Sequence, residues 1–271
     1  MRVLSYNIHK GIGGRDRRYQ LSRVKAVIET AGADVLCLQE VDRNVRRSRF
    51  DDQPRLLAEW FLGRHLPPVG PHPGPRAALS PSGGGGGAVF QLTLPLTTGR
   101  TLPGGPRRGG YGNLVVSKRP ILDAHLVGLR RGLRKNRGAV VVVLDTAAGP
   151  VRLVNWHLGL AERERAWQVR RLLGHELFRA AGSFAAGSVP TLLVGDTNDW
   201  RGVLRKGALR EAGYAPAAAG AGRLRTFPAW LPTAQLDRAF ARDLPAIAAV
   251  HRGGPAADAS DHLPLIVDVP G

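Results

Sequence analysis

The chain has 271 residues, enough to bury a large core, and a formal charge of +18 from 39 basic and 21 acidic side chains. Its single cysteine excludes an intrachain disulfide framework, and no apolar run is long enough for a membrane-spanning helix. The charge favours an anionic partner, but only five of the 39 basic residues are Lys, and codon bias toward Arg, Gly, Ala and Pro would give the same excess.

In chain order, Arg2–Ile8 alternates and predicts a strand, ending in Asn7, Ile8 and His9 before a Lys10–Gly14 turn. Leu21, Val24, Val27 and Ile28 predict an amphipathic helix over Tyr19–Ala31, stopped by Gly32. Asp34–Leu38 reads as a second strand, with Cys37 buried in it and Gln39 and Glu40 at its polar end. The opening is thus βαβ-like, with Asn7 and Glu40 at comparable strand ends. It shows no charged-then-apolar leader, so a cytoplasmic location is expected. Val41–Asp51 carries Arg43, Arg46, Arg47 and Arg49, and Asp52 with Pro54 starts a helix to about Leu62.

Gly63–Gly87 is Pro- and Gly-rich, with five consecutive glycines, and reads as a mobile surface loop within one domain spanning 1–271. Val89–Leu94 is strand-like, and Arg100–Gly110 is a loop bearing Arg107 and Arg108. Asn113–Ser117 and Ile121–Leu129 read as two strands. A basic run follows, with Arg130, Arg131, Arg134, Lys135 and Arg137. Ala139–Leu144 and Val151–Trp156 form a hairpin pattern around Ala148–Gly149–Pro150, ending at His157. Ala161–Ala180 is the longest predicted helix, with Trp167, Val169, Leu172, Leu173, Leu177 and Phe178 as its apolar stripe. Thr191–Val194 is a buried strand, Val203–Ala212 a short helix, and Ala215–Gly222 a loop. Leu236–Phe240, Ala246–Val250 and Leu263–Val269 are short strands.

Chemistry collects where the strands stop. The run Val189–Trp200, VPTLLVGDTNDW, passes from an apolar strand through Gly195 to Asp196, Thr197, Asn198 and Asp199. The carboxyl ends of strands are where layered α/β proteins place ligands, although an Asx-rich turn alone needs no chemistry. Asn7, Glu40, His157, Asp196 with Asn198, and Asp261 with His262 all stand at such ends or approaches. Oxygen donors dominate, with no cysteine pairs, which favours Mg²⁺, Mn²⁺ or Ca²⁺ over closed zinc sites. Histidines beside carboxylates suit proton transfer, and arginines suit phosphate oxygens. These parts fit attack of water on phosphorus.

Seven runs then stand out together: LSYNIHKG, LCLQEVD, YGNLVVSKRPI, VNWHLGL, VGDTNDW, LDRAF and SDHLPLIVDV. In kind and order they resemble the endonuclease/exonuclease/phosphatase superfamily across nearly the whole chain, and NIHKG with HLGL resembles its compact bacterial members. The resemblance implies an α/β four-layer αββα sandwich with its site at one edge. It implies Glu40 as principal metal carboxylate, with Asn7 and Asp261 completing the metal shell for Mg²⁺, Mn²⁺ or Ca²⁺. Asp196 would position or deprotonate the attacking water, Asn198 would orient the phosphate, and His157 would donate to phosphoryl or leaving oxygens. Asp237 would pair with His262 and hold its tautomer. Tyr111, Asn113 and Arg137 would meet substrate phosphate. Two positions depart from relatives: His9 stands where abasic-site endonucleases have a carboxylate, and Asn113 where pancreatic deoxyribonuclease pairs a carboxylate with the first catalytic histidine. An amide there predicts a less protonated His157.

The expected activity is metal-dependent hydrolysis of a phosphodiester, with nucleic acid as the first substrate class. A phosphatase or phospholipid phosphodiesterase is the alternative, and an inactive binding scaffold a third reading. No protein partner is implied.

Overall fold

A computed structural model describes residues 1–66, 78–79, 85–96, 101–102, 105–106, 109–178, 189–220 and 222–270. Its elements begin with β1 (Arg2–Asn7), α1 (Leu21–Ala31), β2 (Val35–Arg43), α2 (Gln53–Leu62), β3 (Gly86–Leu96), β4 (Gly109–Gly128) and β5 (Gly138–Leu144). They continue with β6 (Val151–His157), α3 (Glu162–Leu173), β7 (Thr191–Asp196), α4 (Ala208–Glu211), β8 (Asp237–Arg242), β9 (Ile247–Val250), α5 (Ala256–Ala259) and β10 (Leu265–Asp268).

The strands form one 13-stranded ladder in the order β8–β7–β6–β5–β4–β2–β1–β10–β9. Two-residue strands at Ala215–Pro216 and Ala218–Ala219 close its ends, and β3 branches from β4 with Ala78–Leu79 beside it. The pairs β1–β2 and β6–β7 are parallel, as βαβ connections require. The ladder folds over on itself. Val3, Cys37, Val115 and Leu265 of one half pack with Val142, Leu153, Leu192 and Val194 of the other in a single apolar core. A second core lies between the first half and α1, α2 and α5; a third lies between the second half and α3 and α4. The result is a mixed α/β architecture, a large mixed sheet flanked by helices.

The hinge of this arrangement is β4. Its first part pairs with β2 and β3, its second with β5. The sequence suggested two strands broken near Pro120; the chain is instead one 20-residue strand that changes partners there. Other differences are local. β2 does not stop at Leu38 but continues through a bulge at Gln39–Glu40 to Arg43. β3 begins inside the predicted glycine loop, whose residues 67–77 and 80–84, like Arg107 and Arg108, lie outside the described residues. The long predicted helix ends at Leu173 and is followed by a 3₁₀ turn, Glu176–Phe178. Val203–Ala212 divides into a 3₁₀ turn and α4, and α5 was not anticipated.

Local chemistry explains what was anticipated. Val24, Val27, Ile28 and Ala31 bury one face of α1, and Gly32 ends it at φ 60°. The Asp52 carboxylate caps α2 by accepting from Arg55 N at 3.3 Å. α3 buries Val169 and Leu172 and adds a polar latch: Gln168 accepts from Gly159 N (2.8 Å) and donates to Leu129 O (3.0 Å).

The two sheet halves are also joined by a buried polar bridge. Asn155 Nδ2 donates to Leu38 O and Leu114 O, each at 3.0 Å, while its Oδ1 accepts from Gln39 Nε2 at 2.7 Å. Replacing Asn155 with Leu leaves those groups unpaired in a fully buried place. The expected loss is about 3 kcal/mol, from at least two unsatisfied buried groups. A urea melt checks this; an unchanged midpoint would mean the bridge contributes nothing net.

Candidate active site

Strand register builds the site. Gly138, His157, Asp196 and Asp237 are successive partners across β5, β6, β7 and β8, so three polar residues stand in one row at the sheet's end. Gly195 permits the approach: its φ is 140°, and a side chain there would meet Trp156 O at 2.0 Å. From the opposite half, Asn7 ends β1 and reaches across, donating from Nδ2 to Asp196 Oδ2 at 3.0 Å. The sequence separates these residues by 189 positions; folding the ladder over brings them into contact.

Asp196 is the hub. Its Oδ1 accepts from Asn198 N at 2.9 Å, and its Oδ2 lies 3.3 Å from His157 Nε2 and 3.8 Å from His262 Nε2. Asp237 Oδ2 accepts from His262 Nδ1 at 2.8 Å, which fixes the outer nitrogen of that ring toward Asp196. Asp237 is thus committed to the site, not to a surface pair with Arg238, which lies near Asp199 instead. Asn198 Nδ2 donates to Leu158 O, leaving its second N–H for a ligand.

Charge is unevenly distributed among these groups. Burial pushes the Asp196 carboxyl up to about 6, only partly opposed by His262. Burial would lower His262, but Asp237 and Asp196 outweigh it and push the imidazolium up to about 10. His157 is held well below its ordinary value by burial and by Arg137. His157 is thus less readily protonated, as expected, with burial and Arg137 as the main causes; Asn113 donates from Nδ2 to Gly138 O at 2.8 Å, buried within the ladder.

The second part of the site surrounds Glu40. Glu40 sits in the β2 bulge at φ 56°, and His9, Lys10 and Asn198 also adopt left-handed backbone, at 44°, 64° and 50°. Each such non-glycine residue costs roughly 1 kcal/mol or more, and bulges re-aim side chains beside sites. Lys10 Nζ is in contact with the Glu40 carboxylate. Burial would raise Glu40, yet Lys10 and then His157 override it and keep the carboxylate ionised well below the usual range. His9 Nδ1 donates to Ile12 O, 2.9 Å away, and lies 3.8 Å from Asp261 Oδ1. Ser260 Oγ donates to Asn7 O at 2.6 Å, tying the Asp261–His262 turn to β1.

Among the described residues, no three His, Cys, Asp or Glu side chains form a closed metal cage. A hydrated Mg²⁺ needs only one or two carboxylates and retains water, so the donor chemistry is the better guide. Glu40 is anionic, Asp261 offers carboxylate oxygens, and Asn7 Oδ1, which accepts from His9 N at 3.0 Å, keeps a second lone pair, while the Lys10 ammonium on Glu40 marks a position where positive charge is stabilised. These oxygen donors are of the kind that a hard divalent cation takes. Glu40, Asn7 and Asp261 would hold it.

Of the residues named from the sequence, Asn7, His157, Asn198, Asp237 and His262 gather around Asp196, Glu40 lies with Lys10 beside Tyr111, Arg137 acts on His157, Asp261 lies beside His9, and Asn113 is buried within the ladder. Sequence reading missed Lys10 as a partner of Glu40, although both lie in quoted motifs, because nothing in a sequence pairs them. It also missed the surroundings of Tyr111, whose ring meets Lys10, Arg47 and Lys135. Trp156 is fully buried in the core, whereas Trp200 is largely exposed and edges against Phe227, which touches the His262 ring. Asp199 is fully buried and accepts from Leu204 N, which anchors the loop after Asn198.

Two packed sheet halves with a carboxylate–histidine row at their shared edge define a class whose members hydrolyse phosphoesters and generally use divalent metal ions. The chain belongs to the endonuclease/exonuclease/phosphatase family, whose model matches residues 4–262. It is 27% identical to the uncharacterised protein YbhP of Escherichia coli strain K12, over 99% of this chain and 95% of that one. The crystal structure of an endonuclease/exonuclease/phosphatase from Beutenbergia cavernae is similar with a TM-score of 0.69 at 23% identity, covering 99% of this chain and 71% of that one. The human Nocturnin catalytic domain, solved with a bound sulfate anion, is similar with a TM-score of 0.61 at 18% identity, covering 100% and 94%. Among the described residues no helix is long and apolar enough to cross a membrane.

Proposed function

We propose that this protein is a divalent-cation-dependent phosphodiesterase that acts on nucleic acid by water attack on phosphorus. The observation that carries the reading is the Asp196 hub, where one buried carboxylate meets Asn7, Asn198, His157 and His262 from both sheet halves. A carboxylate lifted to about 6 is well matched to take a proton from water near neutral pH. Asn198 and the neutral N–H of His157 orient phosphoryl oxygens without adding charge. His262, cationic beside Asp237, stabilises the negative charge that develops as the P–O bond breaks. A Mg²⁺ or Mn²⁺ ion held by Glu40, Asn7 and Asp261 supplies further neutralisation of the phosphoryl group when bound. Nucleic acid is favoured as substrate by exposed Arg46, Arg49, Arg130 and Arg134 on the segments that also supply Arg47 and Lys135.

The test is a panel of bis(p-nitrophenyl) phosphate, p-nitrophenyl phosphate, single- and double-stranded DNA and RNA, and phospholipid vesicles, with Mg²⁺, Mn²⁺ or EDTA. Diester and nucleic-acid cleavage is expected, abolished by EDTA. Glu40→Ala is expected to lower it roughly 10³-fold, since an electrophilic metal contributes several kcal/mol. Turnover confined to monoesters or phospholipids would replace the substrate assignment. Full activity in Glu40→Ala would remove the metal assignment.

A further inference from the structure

Beside Glu40 the structure gathers more positive charge than one scissile phosphate uses. Lys10 Nζ, Arg47 Cζ and Lys135 Nζ lie 5.5, 5.5 and 5.2 Å from the centroid of a single ring, that of Tyr111. Two of the three are already matched. Lys10 contacts Glu40, and Arg47 makes a two-pronged pair with Asp42 at 2.9 and 2.7 Å. Lys135 is exposed and forms no ion pair among the described residues; Arg137, whose field reaches both Lys135 and Tyr111, is buried and forms none either. Arg137 is 7% exposed with Nε lacking an acceptor; Tyr111 is 3% exposed with its hydroxyl also unpartnered. Other buried polar atoms also lack a partner among the described residues, but these two border one cationic cluster around the Tyr111 ring. Burial and then Arg137 lower the proton affinity of Lys135, with Glu40 opposing them and Arg47 adding to them.

Composition argues against chance. In a chain that writes 34 of its 39 basic residues as Arg, two of the five lysines meet at this ring. Codon bias toward Arg does not produce that choice. A lysine offers a compact, rotatable charge to a phosphate, where an arginine would stack flat on the tyrosine.

We propose that Tyr111, Lys135 and Arg47, bordered by Arg137, form a second phosphate subsite that selects substrates carrying a further phosphoryl group next to the scissile one. The assignment rests on the phosphodiesterase reading for its place in catalysis, but the subsite binds independently of turnover. A second phosphate neutralises the excess charge of Lys135 and Arg137 and accepts from the Tyr111 hydroxyl. Arg137, whose field reaches Lys135 and Tyr111 as well as His157, would act on both phosphates.

Isothermal titration in EDTA with inorganic phosphate and pyrophosphate decides the matter. The wild type is expected to bind pyrophosphate about tenfold more tightly, the gain from one additional charge-assisted anion contact. Lys135→Ala and Tyr111→Phe should each reduce that ratio at least about threefold, while Arg210→Ala, an exposed cation on α4, should leave it unchanged. Equal affinities in the wild type, or an unchanged ratio in both variants, overturn the subsite. Turnover then names the source of the phosphate: d(TpTpT) against d(TpT) reads a neighbouring backbone phosphate, and myo-inositol 4,5-bisphosphate against the 1-phosphate reads a small polyphosphate. A wild type that cleaves plain diesters without preferring pyrophosphate loses the subsite and keeps the phosphodiesterase reading. One that prefers pyrophosphate but cleaves no phosphoester does the reverse.

Discussion

Replacing Asp196 with Asn is expected to lower kcat on bis(p-nitrophenyl) phosphate by roughly 10³- to 10⁴-fold, at the upper end of what a positioned base contributes. The size follows from its position as hub. The substituted amide keeps the shape, and its remaining oxygen still accepts one of the two donors, Asn7 Nδ2 or Asn198 N. It cannot take a proton, and it removes a negative charge that His262 and His157 both face. KM should change much less, because phosphate binding falls to other groups. The pH profile provides the sharper reading. Burial raises the Asp196 carboxyl from 3.8 to about 6, so the active, ionised form should accumulate as pH rises through about 6. The wild-type kcat/KM should therefore show an acid limb near that value, and the limb should vanish in the Asp196→Asn variant. Survival of the limb would assign it to another group and remove Asp196 as the base.

The part of this site legible in the sequence is the part carried by strand ends. Apolar runs that stop at Asn7, His157 and Asp196 announce polar groups at one edge, and strand register then places His157, Asp196 and Asp237 side by side. The layered fold was legible for the same reason, since alternating or wholly apolar runs reveal how many faces each strand buries. Less was visible where the backbone departs from regular geometry. Glu40 looked like a strand end because Gln39 and Glu40 are polar; it is a bulge inside β2, and a bulge has no reliable sequence signature when neither residue is glycine. The union of Ile121–Leu129 with Asn113–Ser117 in one strand was hidden by Pro120, which normally interrupts a ladder and here marks the change of partners. Lys10, Arg47, Tyr111 and Lys135 come from four separate segments. Each alone reads as a solvated charge or a core aromatic, and only the fold makes them one cluster.

Asp237→Asn carries the other large effect, through a residue that touches His262 and not the substrate. The carboxylate fixes the His262 tautomer through a 2.8 Å bond to Nδ1 and supplies most of the attraction that, with Asp196, overcomes burial and pushes the imidazolium up to about 10. Asparagine can accept at the same place but brings no charge. In a comparable histidine–carboxylate arrangement such a change lowers kcat about 10⁴-fold; here the histidine stabilises charge instead of shuttling every proton, so about 10²- to 10³-fold is expected. The alkaline limb of the rate profile should move down from about 10 by at least about one unit, because burial then acts with less opposition. Stability should respond with a definite sign. A histidine whose folded value exceeds its ordinary 6.5 stabilises the fold fully below 6.5, and that contribution is lost as pH rises through about 10. Wild-type urea midpoints should consequently decline between pH 7 and pH 10, and the decline should flatten in Asp237→Asn. A variant that keeps both the alkaline limb and the slope of the wild type would show that His262 draws its charge from Asp196 alone, leaving Asp237 only the geometry of the ring to hold.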